Sequence, residues 1–366
     1  MEIINKLDKK VVIGMSGGVD SSVAAYLLKE QGYDVTGVTM QIWQNDKEYD
    51  PSLEGGCCGL SAVDDARRVA EMLDIPYYVM NFRKEFEERV IKDFINEYTK
   101  GRTPNPCIMC NRYVKWESLL NRSLSIGADY IATGHYARIE HLKNGRYTIK
   151  NSVAAAKDQT YALYNLTQDQ LSHTLMPIGE YTKDEVRKIA RDIGLYVAKK
   201  PDSMEICFVS DNNYAGFIEE NSDKEIVKGN FVDKDGNILG THNGIIHYTI
   251  GQRKGLGLSL GHPAFVTEIR PETNEVVIGE NADILKKTVV CDNINYMSVT
   301  EIDTDKIYNA KIRYNHGGSK CKLRIEDGRL YADFIEPVRA ATPGQALVVY
   351  DGEYVALGGT IIEGID

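Results

Sequence analysis

The feature that most constrains this chain is an apolar strand that runs directly into a glycine- and serine-rich turn, residues 11–22, VVIGMSGGVDSS. Gly17 and Gly18 leave little side chain between the backbone N–H groups and an anion. The helix predicted to follow points its partial positive charge at the same place, and Ser21 and Ser22 add hydroxyl donors. This stretch therefore predicts a phosphate-binding site.

The turn matches neither of two common nucleotide-binding patterns. It lacks the Gly-Lys-Ser/Thr ending of a Walker A loop and the three spaced glycines of a dinucleotide fingerprint. From Ser16 to Ser21 it reads Ser-Gly-Gly-x-Asp-Ser, which resembles the PP-loop of ATP pyrophosphatases, enzymes that adenylate a substrate oxygen and release pyrophosphate. On this segment alone, a glycine-rich turn without a ligand stays an open alternative.

The chain has 366 residues, which is enough for two or three domains, and its 43% hydrophobic and 26% charged residues are typical of a soluble globular protein. The first ten residues lack the apolar core of a signal peptide, and no later segment is apolar for long enough to cross a bilayer. Seven cysteines beside a nucleotide-binding motif suit a reducing compartment. We therefore expect a cytoplasmic enzyme.

A net charge of −10 argues against nucleic-acid binding by the whole surface but permits a local basic face. Residues 311–324, KIRYNHGGSKCKLR, hold five Lys or Arg residues and no acid, and Tyr314 is available to stack on a base. A solvated pair of barrel strands is the alternative interpretation of this run.

The first half of the chain alternates strand-like and helix-like runs. Strands are predicted at 11–15, 33–40, 76–81 and 130–133, and helices at 22–31, 61–73 and 86–95. This order predicts an α/β fold with a doubly wound parallel sheet whose ligands lie at the carboxyl ends of the strands. In the helix 61–73, Asp64 and Asp65 are expected on a solvated face.

The pattern changes after a last amphipathic helix at 182–193. Beyond residue 211 the sequence becomes short, alternating and rich in turns, which predicts β structure. We expect a PP-loop catalytic domain at 1–211, a small central domain at 212–284 and a C-terminal β-barrel at 285–366.

Cysteines form the second unusual feature. Two prolines stiffen the loop 102–111, RTPNPCIMCN, around Cys107 and Cys110, and Cys207 follows the last helix of the first domain. Cys57 and Cys58 are adjacent, which is poor geometry for two ligands of one zinc ion. A structural zinc, a redox disulfide, an iron–sulfur cluster and sulfur-carrying nucleophiles are the open alternatives for these thiols.

Together these segments resemble the bacterial tRNA-specific 2-thiouridylases, the MnmA/TrmU family, over nearly the whole chain. Five more segments match: ATGHYA at 132–137, KDQTY at 157–161, LMPIG at 175–179, YTIGQRKG at 248–255 and ATPGQ at 341–345. The resemblance implies an enzyme that activates the C2 oxygen of the tRNA wobble uridine with ATP. It then replaces this oxygen with sulfur from a protein-bound persulfide, releasing AMP and pyrophosphate.

The resemblance also implies roles for single residues. Cys207 would carry the persulfide, and Cys110 would release its sulfur through a transient Cys110–Cys207 disulfide. Asp20 is the candidate carboxylate for Mg²⁺. The ATP-binding set is Gly14, Met15, Ser16, Gly17, Gly18, Val19, Asp20, Ser21, Met40 and Gly134. The tRNA-binding set, partly on the barrel, is Asn105, Pro106, Cys107, His135, Lys157, Asp158, Gln159, Arg313, Tyr314 and Gln345.

Two of these assignments have plain alternatives. His135 is equally well interpreted as a hydrogen-bonded scaffold residue, and Lys157 with Asp158 as a surface ion pair. One position also departs from the family pattern, because many members have aspartate where this chain has Cys107. Cys107, Cys110 and Cys207 would then supply three thiolates to a [4Fe–4S] cluster with one open iron. Cys107 as a resolving or incidental thiol is the alternative.

The implied partners are tRNAs of the Lys, Glu and Gln types and a cysteine desulfurase or sulfur-relay protein. Two other functions compete with sulfur transfer. A different PP-loop ligase or amidotransferase would have no need for Cys110 and Cys207. A catalytically idle tRNA-binding or iron–sulfur sensing protein would use ATP only as a ligand.

Overall fold

The computed structural model describes residues 8–42, 60–201, 206–209 and 213–366. The chain forms two compact units, and neither is continuous in sequence. The first contains Met1–Val90, Cys107–Asn212 and Glu353–Val355, and the second contains Ile91–Pro106, Asn213–Gly352 and Ala356–Asp366. Cys57 and Cys58 lie outside the described residues.

A parallel sheet forms the centre of the first unit. Its strands are β1 Lys10–Gly14, β2 Asp34–Gln41, β3 Tyr77–Asn81, β4 Tyr130–Ala132 and β7 Thr174–Leu175. They stand in the order β3-β2-β1-β4-β7, and every neighbouring pair is parallel. A hairpin of β5 Ala137–His141 and β6 Tyr147–Asn151 also belongs to this unit. Tyr354 pairs with Lys150 of β6. The α/β prediction is confirmed.

The helices follow the amphipathic runs of the sequence. Val23, Ala24 and Leu28 of the first helix are buried in the same core as Val11 and Ile13 of β1, because burying one apolar face stabilises a helix on a sheet. The helices are α1 Val19–Glu30, α2 Leu60–Met72, α3 Arg83–Phe86, α4 Lys92–Thr99, α5 Pro106–Met109, α6 Leu120–Ser125, α7 Gln168–Ser172, α8 Lys183–Asp192 and α9 Tyr214–Asn221.

Two π-helical segments join neighbouring helices. Glu87–Ile91 connects α3 to α4, and Cys110–Leu119 connects α5 to α6. The π-helix is rare and occurs frequently at functional sites. None of the helices in the described ranges combines the length and apolar character that a membrane span requires.

The second unit is mainly antiparallel β structure. Four strands make a sheet in the order β10-β11-β8-β9: β8 Gly229–Val232, β9 Ile238–His242, β10 Phe265–Arg270 and β11 Glu275–Gly279. The remaining strands are β12 Leu285–Tyr296, β13 Tyr308–Lys311, β14 Ser319–Glu326, β15 Arg329–Arg339, β16 Ala346–Asp351 and β17 Tyr354–Ile365.

These last six strands close into a barrel. Their order is β12-β15-β14-β13-β16-β17, and β17 pairs back to β12. The interior is apolar, with Val289, Leu323, Leu330 and Leu347 fully buried. A small central sheet followed by a C-terminal barrel was predicted as part of the fold class, and both are present.

Candidate active site

The turn between β1 and α1 is ordered by its own serines. The Ser16 backbone N–H donates to Ser21 Oγ at 3.1 Å, and the Ser22 hydroxyl donates to the Gly18 carbonyl oxygen at 2.8 Å. Ser16 itself is exposed, whereas Ser21 and Ser22 are buried. Gly18 caps the helix without a side-chain hydrogen bond. Because the first backbone N–H groups of a helix have no intrahelical partner, the positive end of α1 suits an anion.

Two glycines are required by their surroundings. Gly17 has a φ of +66°, and a Cβ there would lie 2.4 Å from the Ala62 carbonyl oxygen. Gly134 follows β4, and a Cβ there would lie 2.6 Å from the backbone nitrogen of Ser21. The strand order reverses between β1 and β4, which is where α/β sheets bind ligands. The end of β4 thus forms one wall of the site without a side chain.

The carboxyl end of β2 forms a neighbouring part of this edge. Met40 is half-buried there, one residue from the end of the strand. The Thr39 hydroxyl donates to the Met15 carbonyl oxygen at 2.7 Å and accepts from the Tyr77 hydroxyl at 2.7 Å. These bonds hold the chain between β1 and the turn, and they leave Met40 at the edge where adenine was predicted to lie.

Asp20, in the first turn of α1, binds side chains from two distant segments. Lys183 Nζ lies 2.8 and 2.9 Å from the two carboxylate oxygens, and the Tyr136 hydroxyl donates to Oδ1 at 2.8 Å. The Lys183 side chain is only 15% exposed. Both oxygens of Asp20 therefore already accept hydrogen bonds, and Mg²⁺ binding by this carboxylate stays a prediction.

A second lysine contacts the loop from another side. Lys200 Nζ donates to Asp65 Oδ2 at 2.8 Å and to the Gly17 carbonyl oxygen at 3.3 Å. The Tyr196 hydroxyl donates to both the backbone and the side chain of Asp65, and burial followed by this hydrogen bond raises the pKa of Tyr196. Asp64 is exposed as expected, but placing Asp65 on the same solvated face was wrong.

The proline-stiffened loop presents its two thiols differently. Cys107 is exposed, whereas Ile108 and Cys110 are buried. Cys110 is the first residue of the π-helical segment. Within one helical turn the chain therefore carries one accessible thiol and one sheltered thiol.

Cys207 is exposed, and the two residues that follow it anchor its backbone to the first unit. Phe208 and Val209 are buried, and the Phe208 ring meets Phe86 edge-to-face at a centroid distance of 5.6 Å. Phe86 ends α3, which also packs on the π-helical segment that Cys110 begins. Both thiol-bearing segments are thus anchored on α3.

Metal binding by the thiols was a further hypothesis. Within the described ranges, no group of three or more His, Cys, Asp or Glu side chains is arranged to hold a metal ion. Cys107, Cys110 and Cys207 therefore do not present a ready ligand set for an iron–sulfur cluster, and we derive no chemical step through one.

Comparison with known proteins covers the chain from end to end. A tRNA methyl transferase HUP domain model matches residues 9–211, a tRNA methyl transferase PRC-barrel domain model matches 215–280, and an aminomethyltransferase beta-barrel domain model matches 286–362. A tRNA-specific 2-thiouridylase MnmA of Lachnoclostridium phytofermentans is 68% identical and covers 97% of this chain and 100% of its own. The chain belongs to the tRNA-specific 2-thiouridylase family.

Two further proteins of the same name are also similar. The one from Clostridium perfringens is 59% identical and covers 98% of this chain and 99% of its own. The one from Acetivibrio thermocellus is 58% identical and covers 96% and 99%. The resemblance drawn from the sequence motifs is confirmed.

His135, matched to a tRNA-contacting position of the thiouridylase family, is packed into the first unit. Its Nδ1 lies 2.7 Å from Thr133 Oγ1, and its ring is 5.6 Å from that of the fully buried Trp116. Burial, followed by the charge of Lys115, lowers the pKa of His135 well below its usual value. The ring is therefore neutral at physiological pH, which agrees with the scaffold interpretation, and tRNA contact stays a prediction.

The family segment around Lys157 makes internal contacts. Gln159 Oε1 accepts from the Tyr136 backbone N–H at 2.9 Å, and Asp158 Oδ2 accepts from the Ser152 N–H at 2.8 Å. Lys157 is half-buried at the end of a short 3₁₀ turn. Gln159 thereby positions Tyr136, the residue that binds Asp20.

In the second unit, Gln345 supports the loop that leads to Asn105 and Pro106. Its Nε2 donates to the carbonyl oxygens of Thr103 and Pro104 at 2.8 and 3.3 Å. Asn105 is half-buried and Pro106 is buried. Gln345 and Asn105, predicted separately as tRNA contacts of the family, thus belong to one locally connected structure.

Arg313 and Tyr314 lie in the turn between β13 and β14. Arg313 donates to the Arg339 carbonyl oxygen at 2.9 Å, and Tyr314 is 41% exposed. Arg324, from the same basic run, instead pairs with Asp333 across the strands at 2.9 Å. The run therefore divides into a barrel-strand part and a turn that presents Arg313 and Tyr314.

Sequence reasoning missed Lys183, Lys200 and Asp65. A local signal existed for Lys183, because Thr182 and Glu185 form a capping box that fixes the start of α8 beside it. No local pattern indicates that Lys183 meets Asp20, since 162 residues separate them along the chain.

Proposed function

We propose that this protein is an ATP-dependent tRNA 2-thiouridylase. It adenylates the C2 oxygen of the wobble uridine and replaces that oxygen with sulfur carried as a persulfide, releasing AMP and pyrophosphate. The observation that carries the proposal is one unit that combines an anion-binding turn with an exposed and a sheltered cysteine on segments anchored to the same short helix.

The anion-binding turn supports the adenylation step. A carbonyl oxygen is a poor leaving group, whereas the same oxygen bonded to the α-phosphorus of ATP departs as AMP. The positive end of α1 and the backbone N–H groups of its first turn would hold the phosphates. Because Gly134 has no side chain, the nucleotide could approach the backbone closely there. Mg²⁺ bound with ATP would neutralise the phosphate charge.

The exposure of the thiols supports their separate roles. Cys207, which is exposed, would receive sulfur from a donor protein, and its terminal persulfide sulfur would attack C2 as AMP leaves. Cys110 thiolate would then attack the Cys207 sulfur, breaking the S–S bond and leaving the transferred sulfur on the base. The product disulfide between Cys110 and Cys207 would need a thiol reductant before the next cycle.

The proposed partners are those that the family resemblance implies. The substrate is tRNA with a wobble uridine, of the Lys, Glu and Gln types, and Arg313 and Tyr314 supply a cation and an exposed ring suited to RNA. The sulfur donor is a cysteine desulfurase or a relay protein. Asn105, Pro106, Cys107, His135, Lys157, Asp158, Gln159 and Gln345 complete the proposed tRNA-contacting set.

The proposal is tested by incubating the protein anaerobically with unmodified tRNA, MgATP, L-cysteine, a cysteine desulfurase as persulfide donor and a thiol reductant, then measuring nucleosides by mass spectrometry. We expect 2-thiouridine with wild type and with Cys321→Ala, whose thiol is buried in the barrel. Cys110→Ser and Cys207→Ser should give none while still forming adenylate, seen as pyrophosphate release. 2-Thiouridine from both serine variants would show that sulfur transfer through these thiols is wrong. A wild type that releases pyrophosphate without making 2-thiouridine would favour a different PP-loop ligase, and a wild type that releases none would favour an idle tRNA-binding protein.

A further inference from the structure

The PP-loop turn carries no cation of its own. Residues 14–22 contain no Lys or Arg, whereas the Walker A loop places a lysine against the β- and γ-phosphates. Mg²⁺ balances only part of the negative charge of ATP, and backbone N–H groups offer only partial charges to balance the rest. A cation from elsewhere in the chain is therefore expected beside this turn.

Lys183 is placed to supply that cation. Its Nζ lies 2.8 Å from Asp20 Oδ1, so the ammonium stands beside the first turn of α1, at the positive end of that helix. Its side chain is 15% exposed, and the Tyr136 ring lies 5.7 Å from Nζ. The lysine is thus held beside the loop by named contacts.

The arrangement around Lys183 is built from four separate segments. Asp20 comes from α1, Tyr136 from the chain after β4, Gln159 fixes the Tyr136 backbone, and Lys183 begins α8. The side chains of Lys183 and Asp20 are 15% and 30% exposed, so this ion pair is largely sheltered from solvent. Lys200, which is 37% exposed, approaches the same loop through the Gly17 carbonyl oxygen but is tied to Asp65.

We propose that Lys183 is a phosphate-binding residue of the nucleotide site, with Asp20 and Tyr136 as the residues that position it. The inference rests on the proposed use of ATP. The ammonium would bind the part of the triphosphate that AMP lacks, so Lys183 would make the site prefer ATP over its product. The AMP that departs later, when sulfur attacks C2, would lack that contact and would dissociate more readily.

The test measures nucleotide affinity by calorimetry on the full chain without tRNA. We expect Lys183→Met to weaken MgATP binding tenfold or more and AMP binding less than twofold, and Lys183→Arg to retain part of the ATP preference. Lys188→Met, on the exposed side of the same helix, is the matched control and should bind both nucleotides like wild type. An equal loss for both nucleotides in Lys183→Met, or no loss, would overturn the inference.

A second measurement needs no variant and stays informative even when Lys183→Met does not fold. Lysine acetylation of wild type is followed by mass spectrometry with MgATP, with AMP and with no nucleotide. MgATP, but not AMP, should slow acetylation of Lys183 at least fivefold relative to Lys188. If MgATP binds but Lys183 is acetylated equally in all three conditions, the role of Lys183 is contradicted and the proposed function is not. If wild type binds no MgATP, the proposed function is contradicted as well.

Discussion

Gln345 donates a hydrogen bond from Nε2 to the Thr103 carbonyl oxygen at 2.8 Å. The same turn holds Thr103 from two more directions, because the Thr103 N–H donates to the Pro343 carbonyl oxygen and a Cβ on Gly344 would lie 3.0 Å from the Thr103 backbone. The loop before Asn105 is thus seated on a turn of the barrel.

Removing this donor should destabilise the protein as well as slow thiolation. We expect Gln345→Leu to lower the free energy of unfolding by about 1 kcal/mol, because a carbonyl oxygen loses its partner. Gln345→Glu has the same shape but cannot donate at neutral pH, so it should behave alike. Urea unfolding without tRNA is the measurement, and an unchanged unfolding free energy in both variants would limit Gln345 to RNA contact.

Gly134→Ala should abolish most nucleotide binding. The new Cβ would meet the backbone nitrogen of Ser21 at 2.6 Å and the carbonyl carbon of Asp20 at 2.8 Å, and backbone atoms move only if α1 shifts. We expect MgATP affinity to fall more than tenfold. Gly317→Ala, with nothing within 4 Å of its Cβ, is the control. Normal ATP affinity in Gly134→Ala would mean that β4 does not form a wall of the site.

Arg313→Ala should weaken tRNA binding in a salt-dependent way. Loss of one phosphate contact reduces the slope of log affinity against log salt by about 1. Arg324→Ala removes an equal charge from the same run, but that guanidinium pairs with Asp333 and Glu326, so affinity should change little. The measurement is filter binding of tRNA to both variants and to wild type over a range of salt concentrations. Equal effects of the two variants would make the basic run a general electrostatic surface.

His135 should make stability fall as the solution becomes acidic. The folded-state pKa lies below the value of about 6.5 in the unfolded chain, so the unfolded state binds the proton more tightly. Stability is therefore retained above pH 6.5 and decreases as the pH falls below it. In His135→Gln the loss between pH 7 and 5.5, measured by urea unfolding, should be smaller than in wild type. His141→Gln, which replaces an exposed ring, is the control. If the free energy of unfolding depends on pH in His135→Gln as it does in wild type, this assignment is contradicted.

Local patterns in the sequence predicted the elements of the first unit well. The run 61–73 became α2 at Leu60–Met72 because its apolar spacing records which side faces the sheet. Gly17 of the turn was equally readable, because its φ of +66° is a local requirement that glycine meets.

Long-range relationships were not readable in the same way. Lys183, Tyr136 and Asp65 find their partners only after the sheet brings distant segments together, and one charged residue on a helix gives no sign of which segment will cover it. The fate of 91–106, which packs into the second unit, depends on tertiary contacts such as Phe94 with Phe217 at 6.5 Å. The spacing of apolar residues in that helix shows which side is buried but does not indicate which apolar surface it packs against.

The interleaved make-up of the two units bears on how the protein is made. Glu353–Val355 belong to the first unit, although they follow most of the second unit in the sequence. Among them, Tyr354 pairs with Lys150 of β6. Synthesis proceeds from the N-terminus, so residues 91–106 and 213–352 of the second unit are made before the first unit has all its parts. Folding of the first unit can therefore be completed only after most of the second unit has been synthesised.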